Sequence, residues 1–95
     1  MLTYHPEATI EVRDARRWYE DQRSGLGDEF LQQVMQAEDF VESRPLSCSQ
    51  YLYGTRRYRL RRFPFDVVIT VVGSEVKVIA VAHTSRKPGY WRHRL

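Results

Sequence analysis

The sequence predicts an α+β domain of element order β-α-α-β-β-β, with a helical hairpin packed on one face of a small antiparallel sheet. Three observations carry that expectation. Apolar residues recur at helical spacing through the first half, the rhythm changes to a two-residue alternation after residue 55, and Gly73-Ser74 separates two β-branched runs.

The elements follow in order. Residues 2–4, LTY, suit a short strand. Pro6 suits the first turn of a helix, where its missing N–H would have no partner anyway. Ala8, Val12, Ala15, Trp18 and Tyr19 then offer one apolar face to a core. The segment RSGLG ends that helix, with Gly25 free to take a left-handed conformation. Asp28 favours the next helix start, near the positive end of its dipole. Leu26, Phe30, Val34, Ala37 and Val41 keep the helical beat until Pro45, because the residue before a proline avoids helical angles. Two helices joined by so tight a link read as an antiparallel hairpin.

Residues 44–55 read as a loop. In RRYRLRR, 56–62, Tyr58 and Leu60 face one way and Arg57, Arg59 and Arg61 the other. The runs FDVVITVV, 65–72, and EVKVIAVAH, 75–83, are strand-forming, and glycine in the Gly73-Ser74 turn supplies the positive φ. Pro64 falls between strands, where its lost donor does least harm. Strict alternation along 75–83 places His83 with Lys77, Ile79 and Val81. Val76, Val78, Ala80 and Ala82 then face the helices, and His83 opens onto the other, more basic side.

A chain of 95 residues is one domain, 1–95, with a modest core. At 42% hydrophobic and 28% charged residues it belongs with folded rather than disordered sequences. No apolar run reaches the ~20 residues of a membrane span, and no secretory signal stands at the N-terminus, so the expected compartment is the cytoplasm. Cys48 is the single cysteine and reads as a bland thiol. The charge is unevenly spread. Residues 1–51 hold five Arg against ten Asp and Glu, a balance of −5, while residues 52–95 hold ten Arg and Lys against Asp66 and Glu75, a balance of +8. That asymmetry points to an anionic partner for the second half, either nucleic acid or an acidic protein segment.

Two constellations suit such a partner. Arg57, Arg59 and Arg61 project from one strand about 6–7 Å apart, a spacing comparable to that of backbone phosphates, and guanidinium grips phosphate bidentately. Arg62 is a further candidate for holding an anion. The plain alternative is a charged strand edge that deters aggregation. In AHTSRKPGYW, 82–91, His83 has a ring able to move a proton near neutrality, Arg86 and Lys87 can stabilise developing negative charge, and Tyr90 and Trp91 can stack on bases or pin the tail to the sheet. There is no phosphate-loop motif and no Cys/His cluster, so neither cofactor nor metal is expected.

The segments YHPEATIEV, RWYEDQRSGLGDEFL and YRLRRFPFDVVITVVGSEVKVIAVAHTSRKPGYW run in order from Tyr4 to Trp91. With them the chain resembles the RelE/ParE superfamily of toxins from bacterial type II toxin–antitoxin systems, in the version described as ParE-like or plasmid-stabilisation proteins. The resemblance implies a small toxin held in a hetero-oligomer by a cognate antitoxin, whose acidic, partly disordered segment folds on it. It also implies one of two activities. RelE-like members cleave mRNA on the ribosome without metal, and ParE-like members inhibit DNA gyrase; a third possibility is an inactive toxin-fold protein that only binds an antitoxin. Asp66 stands where RelE-like enzymes tend to carry an arginine, so a ribonuclease site here is incomplete or differently built. For a metal-independent endoribonuclease the candidate catalytic residues are Arg61, His83, Arg86 and Tyr90, with Arg57, Arg59, Arg62 and Lys87 holding the anion. Whether the chain is an enzyme stays open at this point.

Overall fold

A computed structural model describes residues 1–95. The elements are β1 (Leu2–Tyr4), α1 (Pro6–Gln22), α2 (Leu26–Ser43), β2 (Ser49–Gln50), β3 (Arg56–Arg59), β4 (Phe65–Val72) and β5 (Glu75–His83). They form a five-stranded sheet of order β1-β5-β4-β3-β2. The expected order and the helical hairpin on one face both hold. The sheet, however, is mixed rather than antiparallel: β1 runs parallel to β5, Leu2 opposite Val76 and Tyr4 opposite Val78. A helical hairpin between a first strand and the later ones returns the chain in the original direction, so the two can lie side by side in parallel. No helix is long and apolar enough to cross a membrane.

Local chemistry explains the hairpin. His5 caps α1, its Nδ1 accepting the Glu7 N–H at 3.1 Å, with Pro6 at the first helical position. Gly25 takes φ 88 between the helices. Glu20 reaches across and accepts the N–H groups of Gly25 and Gly27 at 2.9 and 3.0 Å, satisfying donors that a helix start leaves bare. Gly27 is where the helices touch most closely: a Cβ there would lie 2.7 Å from the Arg16 carbonyl oxygen. The core of Ala8, Phe30, Val34, Ala37 and Val41 packs on the inner sheet face of Phe65, Val67, Ile69, Val76, Val78 and Val81. Trp18, expected on that apolar face, is instead 58% exposed.

Three departures in the sheet shape the functional face. The stretch expected as loop contains β2, which pairs Ser49 with Arg57 and Gln50 with Arg56. β3 stops at Arg59, so the alternation does not extend to Arg61. A bulge breaks β5: Val68 pairs with Ala80 and Ile69 with Val78, leaving Ile79 as the extra residue. Beyond it the faces exchange. Val81 packs in the helix-side core, while Ile79, Ala80 and Ala82 join Val68 and Trp91 on the open face. His83 therefore follows Val81 to the helix side, its ring edge-on to Phe65 with centroids 5.1 Å apart, and meets the basic side only at the rim of its pocket.

Candidate functional site

On the open face, β3, β4, β5 and the tail surround one shallow pocket. β3 supplies Arg57 and Arg59. They point away from the helices because Tyr58, between them, packs on Phe40 with ring centroids 4.9 Å apart. β4 supplies Asp66 and Val68, β5 supplies Ala82, and the turn after it supplies Arg86 and Lys87; Tyr51, Tyr90 and Trp91 close the sides. The pocket offers about 100 Å³ and opens to solvent, which leaves room for an anion of phosphate size.

The electrostatics are four cationic side chains around one carboxylate. Arg59 forks onto Asp66, Nε to Oδ1 at 2.5 Å and Nη2 to Oδ2 at 3.3 Å, a charge-assisted pair that pushes the guanidinium pKa further up. Arg57 lies 3.8 Å from the same carboxylate and 4.4 Å over the Tyr51 ring. Asp66 is 7% exposed, so it acts as a fixed internal counter-ion that orients both arginines and removes part of their field. Arg86 stacks 3.7 Å over Tyr90 and stands 3.8 Å from Glu11 Oε2.

The remaining sequence candidates sit elsewhere. Arg61 is exposed beyond the strand end, so the expected row of three arginines is a pair. Arg62 turns to the helix side, where Nη1 donates to Glu29 Oε1 at 2.8 Å and its guanidinium lies 5.4 Å from the Phe63 ring. That bond, with a second from Arg23, holds the Glu29 carboxyl below its usual range. His83 reaches the rim of the basic pocket but also lines an apolar pocket with Ala15, Trp18, Tyr19, Pro64 and Phe65. Its Nδ1 accepts the Ser85 N–H at 3.0 Å. Trp91, at 1% exposed, pins the tail to the open face.

Tyr90 is held by a residue that the sequence reading passed over. Its hydroxyl donates to Glu11 Oε2, and burial, reinforced by that bond, pushes the phenol well above its ordinary value. Glu11 also takes the Val81 N–H at 2.9 Å and both terminal nitrogens of Arg94 at 2.9 and 3.0 Å. Arg94 in turn donates to the Ile79 carbonyl at 3.1 Å. A signal was present: Glu11 lies three residues after Ala8 and four before Ala15, inside the apolar stripe of its helix, where a free carboxylate has no reason to be.

No family model and no curated protein matches the chain. A solved structure does, described as "Chromosomal ParDE TA system from P. aeruginosa". It is similar over 88% of this chain and 95% of that one, with a TM-score of 0.74 and 16% sequence identity. The fold is ParE-like. At that identity the likeness speaks for the arrangement of helices and sheet. Within a ParE-like fold the basic pocket occupies the open sheet face, opposite the hairpin, and the apolar pocket around Trp18 lies on the helix side.

Proposed function

We propose that the chain is the toxin of a type II toxin–antitoxin system, working in the cytoplasm and arresting growth, when its antitoxin is lost, by binding DNA gyrase. One observation carries the choice of a binding protein over an enzyme: Tyr90, in the wall of the basic pocket, keeps its proton on a hydroxyl given to Glu11, and Arg59 is forked onto Asp66, while His83 packs on the Phe65 side. The ParE-like fold supports the toxin reading. For the antitoxin, the apolar pocket of Ala15, Trp18, Tyr19, Pro64 and Phe65 suits an apolar anchor, and the +8 half suits an acidic segment.

Purified toxin added to a gyrase supercoiling reaction tests the target, alongside induction in cells with mapping of mRNA ends. The expected result is loss of supercoiling with unchanged mRNA ends. A second reading, ribosome-dependent mRNA cleavage, rests on the phosphate-sized pocket lined by Arg57, Arg59, Arg86 and Lys87 with His83 at its rim. New ends at codons in the ribosomal A site, with supercoiling intact, would establish that reading instead. Normal growth in cells making the folded protein would leave only the antitoxin-binding role.

A further inference from the structure

Tyr53 occupies a backbone conformation that strains a bulky side chain. It sits at φ 58, ψ 36 in the tight turn closed by the Thr55 N–H on the Leu52 carbonyl at 3.1 Å, and Gly54 after it is left-handed at φ 77. Turns with two left-handed centres favour Asn-Gly, and an aromatic residue there is an outlier. Burial does not compensate, since Tyr53 is 50% exposed. The tail is fitted around the ring. Gly89, left-handed at φ +84, leaves free the space in which a Cβ would come 3.0 Å from Tyr53 Cε2. Arg92 lays its guanidinium 4.5 Å from the ring centroid. Strain that the surroundings hold in place at an exposed side chain points to use.

The ring stands on a turn beside the basic pocket, whose wall it does not join. Leu52 flanks it on the Gly89 side, 36% exposed. An exposed tyrosine with a leucine beside it and an arginine laid on its face has the makeup of a protein-interface anchor. Such anchors are aromatic or arginine side chains that enter a pocket on the partner, already held in shape before they meet it. Arg92 asks for a carboxylate opposite, and the +8 balance of residues 52–95 favours approach to an acidic surface. Trp18 and its apolar pocket lie on the helix side, so the two surfaces can be separated by mutation. We infer that Tyr53, backed by Arg92 and Leu52, is the anchor that seats the toxin in a pocket on an acidic surface of its target protein. The target is gyrase under the reading above, on which this inference rests.

Tyr53→Asn is the decisive variant, because asparagine accepts the left-handed conformation and relieves the strain. Its thermal unfolding midpoint is expected to stay level or rise. The concentration of toxin that half-inhibits gyrase supercoiling is expected to increase about tenfold or more, and Tyr53→Phe, which keeps the ring, to inhibit like wild type. Equal inhibition by Tyr53→Asn and wild type overturns the inference. So does a lower unfolding midpoint, which would make the ring a structural pin for the tail. If wild type leaves supercoiling untouched, gyrase is not the target, and growth arrest on induction judges the anchor by itself. Arrest by wild type that Tyr53→Asn relieves supports the anchor with another target; arrest by both, or by neither, overturns it.

Discussion

A single carboxylate completes the sheet edge at Glu11. β1 ends at Tyr4 opposite Val78, while β5 continues to His83. Along that uncovered edge Glu11 takes the Val81 N–H and Arg94 takes the Ile79 carbonyl, so a carboxylate and a guanidinium stand in for a neighbouring strand. The Tyr90 hydroxyl joins the same carboxylate, and the Tyr4 hydroxyl donates to Glu38 at 2.6 Å in a similar way. Burial is the larger cause and the carboxylate bond the second in raising both phenols above the ordinary 10.0. Their protonated forms are thus favoured by folding. The stability this adds is fully present below about pH 10, the unfolded phenol value, and is lost as pH rises beyond it. Urea unfolding at about pH 8 and about pH 11 should show wild type losing stability across that window, and the Tyr4→Phe/Tyr90→Phe double variant losing less of it. An equal loss in both would remove the tyrosines from the account.

Among the elements, the hairpin depends on Gly27. Its helix approaches α1 so closely that an added methyl would meet the Arg16 carbonyl oxygen at 2.7 Å, and backbone cannot swing aside as a side chain can. Gly27→Ala should therefore lower stability by about 1–3 kcal/mol, although alanine is the better helix former by about 1 kcal/mol. Chemical denaturation with an unchanged m-value is the check; a gain in stability would mean that the helices part without strain. The β5 bulge acts at the same scale. By admitting Ile79 as an extra residue it turns Ala80 and Ala82 to the open face, where small side chains leave room for the Trp91 indole and for the pocket floor.

For the whole molecule, the sheet separates two surfaces of different chemistry. One is the basic pocket with its arginine–tyrosine stacks; the other is the apolar pocket at which Trp18 stands 58% exposed. An exposed tryptophan contributes little to folding but is the kind of side chain on which an interface turns. Trp18→Ala should leave thermal stability nearly unchanged and weaken capture of the proposed antitoxin by about tenfold or more. Calorimetric titration of toxin with purified antitoxin measures it, and unaltered affinity would move the contact away from this pocket.

Much of the architecture was legible in the sequence because it rests on short-range rules. Helical spacing from Ala8 to Val41, the proline and glycine boundaries, and the β-branched runs around Gly73-Ser74 match the observed helices and the two long strands residue for residue or nearly so. The site was only partly legible. Arg57, Arg59, Arg86 and Lys87 do converge, but Arg61 and Arg62 do not, and His83 lies on the opposite face from the one alternation assigned. The physical reason is that alternation predicts a face only while pairing stays regular, and one bulged residue reverses every side chain beyond it. Likewise Glu11 is joined to Tyr90 and Arg94 across separations of 79 and 83 residues in the chain. Composition and local pattern determined that a basic, aromatic surface would exist. Its members, and which tyrosine stands free on it, were decided where the tail folds back over the sheet.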